Sequence, residues 1–411
     1  MFFNIAWKSL MNRKLSVALT LASLTVSIII VVSVEHIRSQ ARESFNRTVS
    51  GVDLIVGART SPVNLLLYSV FRIGNASNSL TSESYELIAG DPRVAWTIPL
   101  SLGDSHRGFR VVGTNENFFA HFQYGNQQTL HFAQGNGFTD RFDAVIGAQI
   151  AEQLQYKLGD SITLSHGLGE VSFSNHESTP FRITGILAPT GTPVDQALHV
   201  PLEGLDGAHG IEHDDHHSHS EEDAHQHITS SDLTAFMLGL NSRMSVFELQ
   251  RAINEYPGEA LTAILPGVAL AELWQVMGTV ENVLTVISAL VMLASLLGIS
   301  TMLLSSMRER QREIFLFRTV GMHSSSVFLL IEIEALLITA VASVIALSVV
   351  SLSLIASQSW LSQQYGLMIE TSPLSSGIAL YIGIIFLACS ILSLLPGIAA
   401  YRSSLGTQLK F

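Results

Sequence analysis

The sequence predicts an α-helical membrane protein with four transmembrane helices and a large α+β extracytoplasmic domain between helices 1 and 2. Three observations carry that prediction. Four stretches, roughly Leu15–Val34, Val280–Leu304, Val327–Leu352 and Gly377–Leu395, reach the length of about 20 apolar residues that a bilayer requires. The interval after the first is acidic, with 13 Lys and Arg against 28 Asp and Glu over residues 35–278. Within it, short strand-like and helical runs alternate without long βαβ repeats, the pattern of an α+β domain.

Composition agrees. Of 411 residues, 47% are hydrophobic and 14% charged, with a mean hydropathy of +0.37, far from the roughly 25% charge of average soluble domains. A net charge of −12 argues against a nucleic-acid partner, whose phosphates need a basic face. The single cysteine, Cys389, excludes an internal disulfide framework and a Cys-rich zinc module. In its apolar run it reads as a buried, inert thiol.

Taken in order, residues 1–14 form a cytoplasmic lead-in to helix 1 at 15–34. That helix is an anchor, because it is too long for a signal peptide and runs into Glu35, His36 and Arg38 with no small-residue cleavage site. In the domain at 35–278, Val52–Val56, Val94–Pro99 and Phe109–Gly113 read as strands and Ser82–Ala89 as a helix. Tyr124–Phe138 is a Gly/Gln/Asn-rich loop, followed by a strand at Ala144–Gly147 and helical spacing over Ala148–Leu158. A turn at Gly159-Asp160 separates these from strands at Ser161–Ser165 and Phe181–Leu187. Thr234–Leu240 reads as a strand and Ser245–Asn254 as a capped helix.

Helix 2 at 279–304, a loop at 305–326, helix 3 at 327–356, a loop at 357–375, helix 4 at 376–400 and a tail at 401–411 complete the chain. The remaining basic residues are Lys8, Arg13, Lys14, Arg308, Arg310, Arg312, Arg318, Arg402 and Lys410. They fall only in the lead-in, the 305–326 loop and the tail, which the positive-inside rule places in the cytoplasm. The 35–278 domain and the 357–375 loop then lie outside. An even number of spans gives the same answer.

The 305–326 loop carries Ser306-Met307-Arg308-Glu309-Arg310-Gln311-Arg312-Glu313-Ile314-Phe315-Leu316-Phe317-Arg318-Thr319-Val320-Gly321-Met322. Glu309 with Glu313 and Arg308 with Arg312 make acidic and basic rows four residues apart, while Ile314, Phe317 and Val320 form an apolar edge. Two readings stand: an interfacial connector that only sets topology, or a coupling helix docking on a cytoplasmic motor. The chain has no G-x-x-x-x-G-K-[ST] phosphate loop, so any ATP is bound by another subunit.

This loop resembles that of the MacB/FtsX-type ABC transporter permeases, the lipoprotein-releasing and macrolide-exporter-like family, whose pattern runs E-R-x-R-E-I-G-x-x-x-A-x-G. Glu309, Arg310, Arg312, Glu313, Ile314 and Gly321 match, while Phe315 and Thr319 replace the usual Gly and Ala. Ala6-Trp7-Lys8-Ser9-Leu10 through Leu19-Thr20 is similar to the family's amphipathic lead-in. Pro396-Gly397-Ile398-Ala399-Ala400-Tyr401-Arg402 with Leu405 is similar to its C-terminal signature, with Ser404 for the usual Pro. Phe142–Pro201, including Gly159-Asp160 and Gly185-Ile186-Leu187, resembles part of the outer domain, and Asp53-Leu54-Ile55-Val56-Gly57-Ala58 with Ser61-Pro62 is similar to one subgroup.

The resemblance implies a bacterial inner-membrane protein whose large domain is periplasmic. It also implies two permease copies paired with two ATPase subunits that bind the ATP. Motor closure would pass through Arg308, Glu309, Arg310, Arg312, Glu313, Ile314 and Gly321 to the spans and the periplasmic domain, shifting the balance between two packings. The chain itself would be no enzyme. Glu332 and Glu334, near the cytoplasmic end of helix 3, read as an interfacial charge or helix–helix hydrogen bond rather than a conduction site.

Residues 209–227 are not explained by the resemblance. They hold His209, His213, His216, His217, His219, His225 and His227, seven of the 15 histidines, with Glu212, Asp214, Asp215, Glu221, Glu222 and Asp223. Neutral imidazoles are good zinc, copper and nickel ligands, and carboxylates concentrate cations. With an unperturbed pKa of about 6.5, most are free to bind near neutrality. No H-E-x-x-H spacing is present, so the segment reads as a flexible trap or handover loop. The bland alternative is a surface insertion. The isolated His36, His106, His121, His131, His166, His176 and His199 read as structural.

The functional readings are therefore a permease subunit for divalent metal, with Zn2+ as ligand or cargo and a possible periplasmic metal carrier or adaptor. The same machinery could instead serve lipoprotein release or peptide or drug efflux. A third reading is non-transporting signalling to a periplasmic partner. A membrane metalloenzyme is disfavoured by the lack of an ordered ligand triad with a base.

Overall fold

The computed structural model describes residues 10–11, 13–48, 50–166, 180–210, 233–309, 323–365 and 376–406. The chain divides into two compact units, one chiefly Arg42–Met277 and the other gathering the membrane helices. Helix α1 (Lys14–Thr48) leads into β1 (Leu54–Ala58), α2 (Pro62–Ser69), α3 (Ser82–Ala89), β2 (Val94–His106), β3 (Phe109–Thr114) and α4 (Asn117–His121). Then come β4 (Gln123–Tyr124), β5 (Gln128–Thr129), β6 (Phe132–Gly135), β7 (Asp143–Ile146), α5 (Ala148–Leu154), β8 (Ser161–Ile162), β9 (Ser165–His166) and β10 (Phe181–Leu187). The domain closes with β11 (Ala197–Pro201), α6 (Leu202–Gly210), β12 (Ala235–Leu240), α7 (Val246–Asn254) and β13 (Leu261–Ile264). Three long helices follow: α8 (Pro266–Glu309), α9 (Ser324–Tyr365) and α10 (Ser376–Gly406).

Eleven of the described strands form a mixed sheet in the order β13-β1-β12-β2-β3-β11-β7-β10-β6, with β8 on β10 and β9 on β2, while β4 and β5 form a separate pair. The long strand β2 joins its two halves. Val94–Leu100 pairs with β12, and Ser101–His106 pairs with β3. Pro99, which has no N–H to give a ladder, sits where the strand exchanges neighbours. A two-residue turn then closes the β2–β3 hairpin, with positive φ at both Arg107 and Gly108.

Apolar residues on the sheet faces explain the layering. Ile55, Ile98, Leu100, Val112, Val145 and Met237 pack on one face against Leu65, Leu66 and Tyr68 of α2 and Phe118 of α4. Leu54, Val56, Phe236 and Leu238 alternate onto another face, against Ile88 of α3 and Leu249 and Ile253 of α7. Gly57 lets α2 approach β1, since a Cβ there would lie 2.7 Å from both Leu65 Cδ1 and the Tyr68 hydroxyl. Ser61 caps α2, its Oγ accepting from the Asn64 N–H at 3.2 Å.

Several local expectations are corrected. The helix expected over Ala148–Leu158 ends at Leu154, because Gln155 is left-handed at φ +56°. The strand expected over Ser161–Ser165 is two short strands on different neighbours, β8 on β10 and β9 on β2. The loop expected over Tyr124–Phe138 contains the β4–β5 pair and β6 on β10. Ser245 makes no side-chain cap for α7; a 3₁₀ turn, Arg243–Ser245, precedes the helix, and Ser242 accepts from the Met244 N–H at 3.4 Å.

In the membrane unit, four described helices are long and apolar enough to span a bilayer. Their shared core takes Leu24, Ile28 and Val32 from α1, Leu296, Ile299 and Leu303 from α8, and Ile378, Ile385 and Cys389 from α10. From α9 it takes Ala335, Ile338, Ala342 and Ala346, and each of these alanines is 0% exposed. Small residues at this spacing let helix backbones approach closely. The lead-in at 1–9, the outer-loop residues 366–375 and the last five residues lie outside the described residues.

Candidate functional site

Two segments were singled out by their chemistry, and the fold fixes the ends of both. The histidine-rich segment leaves from α6, which follows β11 directly. Leu205 and Ala208 bury α6 in a core with Phe181, Ile183 and Leu198. Gly204 is obligatory there, because a Cβ would lie 1.8 Å from the Arg141 carbonyl. His209 therefore belongs to the last turn of a helix, not to a loop. The chain is described again at Leu233, which bridges to Leu80 before β12 begins. His213, His216, His217, His219, His225 and His227 lie outside the described residues. Among the described residues, no group of three or more His, Cys, Asp or Glu could hold a metal ion.

The segment expected to meet the motor is bounded in the same way. Arg308 and Glu309 end α8 and Ser324 starts α9, while Arg310, Arg312, Glu313, Ile314 and Gly321 lie outside the described residues. Both flanks enter the membrane core, through Leu303 and Ile299 on α8 and Ile331 and Ala335 on α9. Polar contacts then tie these helices to the others. Glu332 accepts hydrogen bonds from Ser390 and Ser393 of α10, each at 2.5 Å, the second of the two roles expected for it, an interfacial charge or a helix–helix hydrogen bond. Thr339 lies 3.0 Å from Cys389 Sγ, and Ser27 of α1 lies 2.5 Å from Ser295 of α8. Cys389 is 1% exposed, the buried thiol expected. Hydrogen bonds of this kind hold transmembrane helices where apolar surface gives no preference over lipid.

Isolated histidines divide into two kinds. His106 is satisfied at both nitrogens, Nδ1 at 2.7 Å from the Thr163 carbonyl and Nε2 at 2.8 Å from the Tyr156 hydroxyl. Burial holds its pKa below the usual histidine range. His121 stacks on Trp96 with ring centroids 5.0 Å apart. His199 departs from the structural reading: it is fully buried, yet neither ring nitrogen makes a hydrogen bond with any described residue. Burial, reinforced by the Arg72 cation, pushes its pKa down to about 3. The Val145 backbone opposes that shift but lies outside hydrogen-bond geometry. A neighbouring Asp195 shows the satisfied counterpart. Its carboxylate accepts from the Thr190 N–H at 2.9 Å, the Thr190 hydroxyl at 2.8 Å and the Gly191 N–H at 2.7 Å. Burial nevertheless raises its pKa.

Four spanning helices, with a large α+β domain inserted between the first two, define a multi-pass membrane protein with an extracytoplasmic domain. The MacB-like periplasmic core domain family matches residues 17–256, and the FtsX-like permease C-terminal family matches residues 285–405. The chain belongs to the MacB/FtsX-like permease family. No curated protein matches it significantly. Among solved structures it is similar to the extracellular domain of the noncanonic ABC-type transporter YknZ from Gram-positive bacteria. That match has 15% identity and a TM-score of 0.32, covering 52% of this chain and 98% of that one. It is also similar to the periplasmic region of MacB from Actinobacillus actinomycetemcomitans. There the identity is 11% and the TM-score 0.33, covering 57% of this chain and 95% of that one.

Proposed function

We propose that this permease handles divalent metal, zinc foremost, as the membrane subunit of an ABC transporter. Two copies work with two ATPase subunits that bind the ATP, and a periplasmic metal carrier or adaptor delivers or receives the cargo. The observation that carries the metal assignment is the density of ligands. His209, His213, His216, His217, His219, His225 and His227 fall with six carboxylates in one 19-residue stretch of the outer domain. At neutral pH such imidazoles are mostly unprotonated, and zinc accepts any tetrahedral set of them without a fixed spacing. Many partial sets in one segment favour capture and transfer over permanent retention.

Arg308, Glu309, Arg310, Arg312, Glu313, Ile314 and Gly321 form the contact with the motor. Their position between α8 and α9 supports this, because both helices pack into the core that α1 and α10 share. A displacement of the loop by the motor is thereby felt by every span. Closure need only favour one of two helix packings for the outer domain to respond.

Zinc binding is measured directly by competition with a chromophoric indicator, using purified full-length permease and a variant lacking residues 209–227. The intact chain is expected to withdraw zinc from the indicator, with affinity falling below about pH 6 as the imidazoles protonate. The deleted chain is expected to withdraw none at the same concentration. Equal withdrawal by both chains would move the metal away from this segment, and withdrawal by neither would end the metal assignment.

A further inference from the structure

Arg72 and Arg110 are among the outer-domain arginines without a carboxylate partner among the described residues, and the fold sets these two close together, Arg110 bonding the turn just after Arg72. Both are half-buried. Arg72 follows α2 in the left-handed region at φ +60°, a conformation that costs a bulky residue energy and marks sites where the surroundings impose it. Its Nη1 donates to the Ser69 carbonyl. Arg110, on β3, donates from Nη2 to the Gly74 carbonyl at 2.7 Å and to Asn75 Oδ1 at 3.1 Å. It is thus fastened to the turn that bears Arg72.

The sheet brings a third group to the same place. Parallel pairing sets Ala197 of β11 opposite Arg110 and His199 opposite Val112. His199 and Arg110 are therefore diagonal neighbours on one face of adjacent strands. His199 stacks on Phe118 with centroids 4.6 Å apart. As a neutral ring it keeps one N–H donor that nothing in the described chain accepts.

Like charges brought close together repel, and among the described residues no carboxylate pairs with either guanidinium. The strain registers in the groups themselves. Burial, with the nearby Arg110 cation, brings the Arg72 pKa down to about 9, and burial lowers that of Arg110. An anion between the two would remove the repulsion and meet free N–H donors of both forks. Paired guanidiniums match a phosphoryl dianion in charge and in planar, bidentate geometry.

We propose that Arg72 and Arg110, with His199 beside them, form a binding site for a phosphoryl group on the outer domain. The group arrives either as free phosphate or as the phosphomonoester headgroup of a lipid. The site is independent of the metal-binding segment.

Isothermal titration of full-length permease, in nanodiscs of phosphatidylcholine at fixed ionic strength, tests this with inorganic phosphate and with glycerol phosphate as probes. Saturable binding is expected for the unaltered chain, weakened about tenfold or more in Arg72→Gln and in Arg110→Gln by loss of a charge-assisted bond. Arg110→Lys, which keeps a donor for the Gly74 carbonyl, is expected to retain part of the affinity and serves if Arg110→Gln does not fold. Tighter binding of glycerol phosphate assigns the site to a lipid headgroup, and tighter binding of phosphate assigns it to the free ion. Binding of neither probe, or equal binding by the unaltered chain and both Gln variants, overturns the proposal.

Discussion

At the scale of single residues, His199 shows how burial alone sets chemistry. Its pKa of about 3 lies well below the ordinary 6.5, so the folded domain keeps the ring neutral where an unfolded chain would protonate it. Between those values the unfolded state binds the extra proton, and stability falls as pH falls. The contribution is intact above pH 6.5 and is lost by about 1.4 kcal/mol per pH unit on the way down towards pH 3. His199→Phe removes the titrating group while keeping a ring against Phe118. Thermal unfolding from pH 7 to pH 4 should therefore show a shallower decline for the variant, and parallel curves would contradict this role. Nothing in the sequence distinguishes His199 from His106. One is orphaned and the other bonded at both nitrogens only because β11 and β2 carry them to different neighbours. The same limit applies to Arg72 and Arg110, 38 positions apart, which are brought near each other by the bond from Arg110 on β3 to the Gly74 carbonyl just after Arg72.

At the scale of elements, legibility followed how local the determining interaction was. Ser82–Ala89 and Phe181–Leu187 were read with their observed bounds, because capping by Thr81 and an apolar run between turns are local signals. The strands Ala197–Pro201 and Leu261–Ile264 were not read, since their places depend on partners far along the chain; the helix Pro62–Ser69 was missed although Ser61-Pro62 is a local start signal. In the spans, hydropathy revealed the helices but not where they touch. The contact along α9 is an alanine row, Ala335, Ala342 and Ala346, each 0% exposed. Enlarging one should force the helices apart. Ala342→Leu is expected to destabilise the bundle by about 1–3 kcal/mol, lowering the unfolding temperature of the detergent-solubilised chain. An unchanged temperature would mean that the row is not a close contact. Glu332 illustrates the converse, a costly intramembrane carboxylate whose partners, Ser390 and Ser393, lie on another helix.

At the scale of the whole molecule, topology and family were legible from charge, hydropathy and short motifs, all additive along the chain. Cargo was not: the proposed metal assignment rests on one His- and carboxylate-rich segment whose spacing specifies no single geometry. Under the proposed function, that segment gathers metal outside while a cytoplasmic motor works through the spans. Cellular zinc under starvation, measured in strains with the intact permease, without it, and with residues 209–227 alone removed, tests this most directly. The account predicts that zinc shifts in the same direction in both mutants, a fall denoting uptake and a rise denoting export. Zinc unchanged in both would contradict it.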